Sequence, residues 1–179
     1  GGWSVGGDVD VLTCHSALPH TLWAHMELHK NVRYERADPL PKGLLETSGI
    51  YVSLLNGCAY CVEDQYAGLR RLLQDETRAA AIRAALAASD FGETFDRREI
   101  SILRYVSELT RAPASLTESA IEEMRRAGLS DGEILEVNQV GSYFAYVNRT
   151  VLGLGVTTDG DVLGLSPSES AAAGNWRPS

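Results

Sequence analysis

Apolar side chains recur along most of the chain with the spacing of amphipathic helices. In residues 100–109 the apolar residues Ile100, Leu103, Val106 and Leu109 return every three positions, with the polar residues Arg104, Ser107 and Glu108 between them. Val, Ile and Thr do not form short alternating runs, so the pattern gives no indication of a β-sheet. We therefore predict an all-α fold. The predicted helices lie near 10–30, 41–55, 58–74, 76–88, 97–111, 116–127 and 131–151.

Residues that favour helix ends support these boundaries. The segments 96–99, 115–118 and 130–133 have the form of a capping box, in which an N-cap oxygen and an acidic side chain three positions later bind unpaired amides of the first turn. Pro41 favours the start of the second helix because its missing amide is tolerated there. Gly128 fits the end of the sixth helix.

The composition changes after residue 151, where turn-forming Gly and Asp residues become frequent. We divide the chain into a helical domain, residues 1–151, and an irregular C-terminal tail, residues 152–179. The apolar residues Leu163, Leu165 and Trp176 of the tail need a surface to pack on. Docking on a neighbouring subunit is one hypothesis, and folding back on the same domain is the alternative.

Composition and charge limit the function classes. The chain has 179 residues, of which 44% are hydrophobic and 22% are charged, as is typical of one globular domain. Its formal charge of −8 argues against nucleic-acid and anionic-membrane partners, because both would repel it. No apolar run approaches the ~18 residues of a membrane span, and the first ten residues lack the regions of a signal peptide. We therefore expect a cytoplasmic protein.

Two of the three cysteines form a CxxC motif, Cys58 and Cys61, whereas Cys14 stands alone. An odd and low cysteine count is not typical of a secreted disulfide framework. In a reducing compartment the motif indicates a redox-active or metal-binding pair. We expect Cys14 to be a packed thiol without a functional role.

The residues around the motif place it at the start of a helix. Gly57 breaks the preceding apolar helix, so Cys58 stands at or near the beginning of the next one. The partial positive charge of a helix N-terminus favours a thiolate over a thiol. Residues three apart on a helix have Cβ atoms ~5–6 Å apart, within reach of a disulfide after small adjustments. One of Cys58 and Cys61 can then attack an oxidant while the other resolves it.

Glu46 precedes Cys58 by twelve residues. On one unbroken helix this spacing is ~18 Å of rise, which is too far for proton exchange. Glu46 can act on the cysteines only if the chain turns at Asn56 and Gly57 and the two helices fold back together. Asn-Gly is a good turn signal, so the sequence allows this geometry.

The order of Glu46, eleven residues and then Cys58-x-x-Cys61 resembles the alkylhydroperoxidase D (AhpD)-like family within the carboxymuconolactone decarboxylase superfamily. The contexts 54–61, 148–156 and 160–167 resemble its peroxidase-related branch. The resemblance implies an all-α AhpD-like bundle, with CxxC at a helix N-terminus, that assembles as a trimer or hexamer. It also implies thiol-dependent reduction of organic hydroperoxides.

The resemblance further implies a catalytic set made of Glu46, Cys58, Cys61 and the residue four positions after the second cysteine. In the family that last residue is a histidine that relays protons, whereas here it is Gln65; a second family histidine is replaced by Tyr60. A neutral glutamine forms hydrogen bonds but does not accept a proton near pH 7. The family relay indicates Cys61 as the attacking thiol and the helix-end argument indicates Cys58. We assign Cys61 as attacking and Cys58 as resolving.

The leading interpretation is an antioxidant oxidoreductase that needs no bound organic cofactor and no metal. Its partners are a hydroperoxide substrate and an external dithiol, either a lipoyl group, a thioredoxin-like protein or a small thiol. One alternative is a disulfide-exchange or redox-sensing homo-oligomer with little peroxidase activity. A second is a lactone decarboxylase, although the decarboxylases of the superfamily do not rely on CxxC.

The histidines leave further alternatives open. All four histidines lie in the first 29 residues, where two of them could complete a zinc site with Cys58 and Cys61. His25 and His29, four apart on a predicted helix, could hold a metal, or they could simply be two histidines on one helix face. One of His15, His20, His25 and His29 could also replace the missing relay histidine.

Overall fold

The computed structural model describes residues 15, 17–33, 40–158 and 163–164. In this part of the chain it contains α-helices, short 3-10 segments and no strand, which confirms the predicted all-α class. The helices are α1 (Pro19–Arg33), α2 (Lys42–Asn56), α3 (Ala59–Leu73), α4 (Glu76–Ala88), α5 (Arg97–Arg111), α6 (Glu118–Arg126) and α7 (Asp131–Leu154). None of these helices combines the length and the apolar character needed to cross a membrane.

The first helix begins later than predicted. Residues 17 and 18 form a turn and a bend, and α1 begins at Pro19, so the prediction of a helix from residue 10 is wrong for the described residues before Pro19. A proline lacks the amide hydrogen that continues a helix, and it is best tolerated in the first turn. The predicted residues 10–14 and 16 lie outside the described part of the chain.

Two of the three predicted capping boxes are present. Asp96 begins α5 and Ser130 begins α7, each with both hydrogen bonds of the box. The prediction for 115–118 is wrong, because α6 begins one residue after Thr117. Ser115 instead ends a short 3-10 helix, where its hydroxyl donates to the carbonyl oxygen of Ala112 at 2.7 Å. The 3-10 segment that starts at Pro113 therefore removes Ser115 from the N-cap position.

Helix α2 is the centre of the fold. Its residues 44–53 are all buried, and α3, α5 and α7 pack around it. A helix that is buried on every side must be apolar or satisfy its polar groups internally. The hydroxyls of Thr47 and Ser48 do so by donating to the carbonyl oxygens one turn earlier, at 2.7 and 2.9 Å. The same central position carries Glu46 into the interior.

Helix α1 lies against α7 through a group of aromatic rings. The ring centroid of His25 lies 5.0 Å from that of His15, 5.8 Å from that of Tyr143 and 5.6 Å from that of Tyr146. His25 is 5% exposed, and its Nε2 lies 3.4 Å from the hydroxyl of Tyr143. Burial, together with the neighbouring His15, lowers the pKa of His25 to about 4.

Acidification should therefore weaken the packing of α1. The pKa of His25 is lowered on folding, so the unfolded chain binds the proton more readily, and stability is lost as the pH falls from about 6.5 towards about 4. The free energy of unfolding should fall by about 2 kcal/mol between pH 7 and pH 5. Urea unfolding of the wild type and of His25→Leu at both pH values measures it, with His20→Leu on the exposed face of α1 as control. An equal pH dependence in all three proteins would contradict this assignment.

Candidate redox site

The turn between α2 and α3 positions the two cysteines. Gly57 has φ +72°, the left-handed conformation that glycine adopts without strain, and it ends α2. The amide of Cys58 then donates to the carbonyl oxygen of Ser53 at 2.9 Å, and Cys58 becomes the N-cap residue of α3. The structure thus confirms the predicted CxxC at a helix N-terminus.

Cys58 and Cys61 are joined by a disulfide, with their Cα atoms 5.4 Å apart. Their exposed fractions are 0% and 2%, so neither residue lies on the surface. The sequence separation of three places both sulfurs on one turn, as the helical spacing predicted. The arrangement is suited to a thiol pair that interconverts with a disulfide without a large backbone movement.

An apolar cluster surrounds the pair. Tyr60, Val151 and Val156 are buried against the two cysteines, and the partly buried Val147 and Leu163 pack on the same cluster. Val147 and Val151 come from α7, Val156 follows its C-cap, and Leu163 comes from the segment beyond it. Tyr60, at the position of the second family histidine, is part of this wall. The cysteines therefore lie in apolar surroundings that favour apolar ligands.

Glu46 reaches α3 because the chain reverses at Gly57. A Cβ atom built on Gly68 would lie 3.3 Å from Cδ of Glu46 and 3.4 Å from its Oε1, so the carboxyl group packs directly on α3. Glu46 is 7% exposed. Cys61, Gln65 and Gly68 are spaced four and three residues apart, which places them on one face of α3. The structure thus brings Glu46 to the face that carries Cys61 and Gln65, with Gly68 leaving the necessary space.

Gln65 presents a hydrogen-bond acceptor inside the protein. The residue is 5% exposed, and its Nε2 donates to Oδ2 of Asp64 at 2.9 Å. Its Oε1 is buried and has no hydrogen-bond partner among the residues the structure describes. An amide oxygen in this state can orient a donor, such as a water molecule or a hydroperoxide O–H, but it does not take the proton.

Asn148 is a site residue whose role the sequence reasoning missed. It is fully buried on α7, its Oδ1 accepts from Nδ2 of Asn56 at 2.9 Å, and its Nδ2 donates to the hydroxyl of Ser53 at 2.9 Å. These bonds fasten α7 to the last turn of α2, where the carbonyl oxygen of Ser53 holds the amide of Cys58. The available signal was a polar residue at an otherwise apolar position, between Phe144 and Val151 on the buried face of α7.

The acidic side chains beside the motif are already paired. Glu63 forms an ion pair with Arg83 of α4, with Nη1 to Oε2 at 3.0 Å, and the guanidinium group lies over the ring of Tyr66 at 4.6 Å. The hydrogen bond to Glu63 raises the pKa of Arg83 above its ordinary value. Asp64 accepts from Gln65 and from the amide of Gly164. Both carboxylates thus have hydrogen-bond donors that offset their negative charge near the cysteines.

His25 and His29 lie against a different part of α7 from the cysteines. His25 and His29 contact the ring of Tyr143, which precedes Val151 on α7 by eight residues, or about 12 Å of helix. This position argues against the hypothesis that one of them replaces the relay histidine. Among the described residues, no group of three or more His, Cys, Asp or Glu side chains is arranged to hold a metal ion. Cys14 lies outside the described residues.

No known family profile and no curated protein matches the chain. Among solved structures, a peroxidase-related protein from Silicibacter sp. TM1040 is 23% identical, with a TM-score of 0.74 over 82% of this chain and 74% of that one. The AhpD core of a peroxidase-related protein from Ralstonia eutropha JMP134 is 21% identical, with a TM-score of 0.71 over 80% of this chain and 73% of that one. The debrominase Bmp8 bound to 2,3,4-tribromopyrrole is 15% identical, with a TM-score of 0.71 over 84% and 76%.

The chain therefore has the AhpD-like fold found in peroxidase-related proteins. This finding confirms, at the level of the fold, the resemblance that the CxxC motif and its context indicated. The same fold also serves a debrominase, so it does not by itself assign a substrate.

Proposed function

We propose that this chain is a thiol-dependent oxidoreductase of the AhpD-like family that reduces organic hydroperoxides through Cys58 and Cys61. The observation that carries the proposal is the Cys58–Cys61 pair at the start of α3, enclosed by apolar side chains and with Glu46 packed on the same helix. An alkyl hydroperoxide suits such a site because its carbon chain gains from burial while its O–O bond meets a sulfur.

The proposed reaction has three steps. The thiolate of Cys61 attacks the terminal peroxide oxygen, the O–O bond breaks, and the alkoxide leaves and takes up one proton, giving an alcohol and a sulfenic acid. The thiol of Cys58 then attacks the sulfenic sulfur, and water leaves as the disulfide forms. An external dithiol reduces this disulfide by thiol–disulfide exchange and is itself oxidised, which returns two electrons and two protons to the pair.

In this proposal Glu46 and Gln65 handle the proton of the first step. Glu46 is the group on this face of α3 that can accept the proton from the Cys61 thiol and pass it to the leaving alkoxide through water. Gln65 orients that water or the hydroperoxide with its buried Oε1. The glutamine does not itself relay the proton, so we expect slower turnover than a histidine at that position would allow.

Gln65→His should therefore raise the rate of hydroperoxide reduction. General acid–base catalysis contributes about 10²–10⁴ in rate, and a histidine at this position should recover at least the lower end. The measurement is cumene hydroperoxide consumption with a dithiol as reductant. Gln65→Leu is the matched control, because it fills similar space, removes the acceptor and should not raise the rate. An unchanged or lower rate in Gln65→His would refute the account of a missing relay.

The same assay separates the remaining candidate functions. Cysteine-dependent turnover of hydroperoxide supports the peroxidase, whereas oxidation that changes the subunit assembly without turnover supports the redox-sensing oligomer. We propose a homo-oligomer in either case, because α7 exposes Leu135, Tyr146 and Leu152. If the protein shows neither hydroperoxide turnover nor a change in subunit assembly on oxidation, the lactone decarboxylase is the remaining candidate. A brominated pyrrole with the same dithiol tests the activity named for the debrominase.

A further inference from the structure

Leu163 and Gly164, here called the cover, lie on α3, and Leu163 reaches the apolar cluster around the redox pair. Leu163 packs on the apolar cluster that contains both cysteines. The carbonyl oxygen of Leu163 accepts from Nη2 of Arg71 at 2.5 Å, and the amide of Gly164 donates to Oδ1 of Asp64 at 2.6 Å. Two side chains of α3, one before and one after Gln65, thus hold the cover by its backbone.

Only glycine fits at position 164. Its φ is +72°, and a Cβ atom added there would lie 2.6 Å from the amide nitrogen of Gly68 and 2.7 Å from Cβ of Ala67. The close approach to Gly68 and Ala67 therefore depends on the absence of a side chain at Gly164. The opposite contact of Gly68 is the carboxyl group of Glu46. The cover and Glu46 thus approach α3 at the same residue, Gly68.

The contacts of the cover are of a kind that opens locally. Cys58 and Cys61 are essentially inaccessible, so an oxidant or a reductant reaches a sulfur only after something moves. Leu163 is half-buried, and within the described part of the chain two hydrogen bonds, one of them exposed, and the packing of one apolar side chain hold the cover. Segments with few buried contacts and partly exposed hydrogen bonds open at far smaller free energies than core helices do. Val151 of α7, by contrast, belongs to the buried core.

Asp64 connects the cover to the candidate relay position. Its Oδ1 accepts from the amide of Gly164, and its Oδ2 accepts from Nε2 of Gln65. Movement of the cover thus removes one donor from the carboxylate that orients Gln65. Asp64 therefore links the position of the Gln65 side chain to that of the cover.

We propose that the cover controls access to the redox pair: Leu163 and Gly164, held by Asp64 and Arg71, must leave α3 before an oxidant or a reducing dithiol reaches Cys58 or Cys61. The proposal rests on the redox role of the pair, but not on which oxidant it reduces. It adds a specificity element to the site, because the size of the opening left by Leu163 limits the reagent that enters.

The test is the rate at which the reduced full-length protein is alkylated at Cys58 and Cys61, followed by peptide mass spectrometry. Gly164→Ala should displace the cover, and Leu163→Ala should leave an opening in the apolar cluster around the sulfurs. Both should raise alkylation by iodoacetamide by about tenfold or more, and alkylation by a bulky maleimide by a larger factor. Gly128→Ala is the matched control, since Gly128 also has positive φ, at +93°, but has open space around it.

Arg71→Met provides a variant without backbone strain. It keeps the aliphatic stem and removes the donor to Leu163, so alkylation should again exceed that of the wild type while the thermal unfolding midpoint stays close to it. Equal alkylation rates in the wild type, Leu163→Ala, Gly164→Ala and Arg71→Met would overturn the proposal. So would wild-type cysteines that react as fast as the free thiol glutathione. Alkylation needs no peroxide, so either result stands whether or not hydroperoxides prove to be the substrate.

Discussion

Serine in place of either Cys58 or Cys61 should abolish multiple turnover of organic hydroperoxide. Cys61→Ser removes the attacking thiolate, and Cys58→Ser removes the thiol that converts the sulfenic acid into a reducible disulfide. A loss of about 10³-fold or more is expected, equivalent to roughly 4 kcal/mol of transition-state stabilisation. The rate of cumene hydroperoxide consumption with a dithiol measures it. Cys14→Ser is the control and should keep the wild-type rate.

The two serine variants also separate the roles of the cysteines. After a single exposure to hydroperoxide, Cys58→Ser should hold a sulfenic acid at Cys61 that a dimedone probe traps. Cys61→Ser should give no trapped product at Cys58. The opposite labelling pattern would reverse the assignment of attacking and resolving thiols, and would favour the helix N-terminus over position 65 as the feature that activates the nucleophile.

Gly49→Ala should destabilise the fold more than a single methyl group usually does. A Cβ atom at Gly49 would lie 2.5 Å from Cε2 and 2.6 Å from Cζ of Phe144, and this ring is buried and packed edge-to-face on Tyr143, with centroids 5.4 Å apart. Overpacking of a filled core costs about 3 kcal/mol, against a helix-propensity gain of about 1 kcal/mol for alanine. We expect a net loss of about 2 kcal/mol in the free energy of unfolding, measured in urea.

Gly43→Ala is the matched control in the same helix. Its Cβ atom would meet Leu69 and Leu73 at 3.9 Å, an ordinary van der Waals distance, so the propensity gain should leave the protein as stable as the wild type or more so. If both variants unfold at the same urea concentration, the close packing of α2 on α7 at Gly49 is wrong.

Most boundaries of α2 to α7 could be read from the chain because local signals set them, although α7 runs to Leu154, beyond its predicted end at residue 151 and into the predicted tail. The capping boxes of Asp96 and Ser130 are each completed by a glutamate three residues later, and Gly57 ends α2. The start of α1 and the failed capping box at Ser115 differ for a local reason too: Pro19 and Pro113 fix where a helical turn begins.

The site divides in the same way between local and long-range features. The pairing of Cys58 and Cys61 follows from helical spacing, and the approach of Glu46 follows once the chain is known to reverse at Gly57. The bond from Asn148 to Ser53 joins residues 95 positions apart. No local pattern specifies such a partner, because it depends on how α7 packs on α2.

The position of the C-terminal segment could not be read from local patterns either. Gly164 donates to Asp64 across 100 positions, and its close approach to Gly68 is likewise a contact between distant parts of the chain. The chain itself indicated only that Leu163 needs an apolar surface. Docking of the rest of the tail on a neighbouring subunit stays a prediction, since residues 165–179 lie outside the described part of the chain.

The most direct test of the account is to treat the fully reduced protein with one equivalent of cumene hydroperoxide and measure intact and peptide masses. We expect the loss of two hydrogen atoms, a disulfide that links Cys58 to Cys61, one equivalent of alcohol, and full reversal by a dithiol. Two free thiols after excess hydroperoxide, or a zinc ion retained by the cysteines, would contradict it.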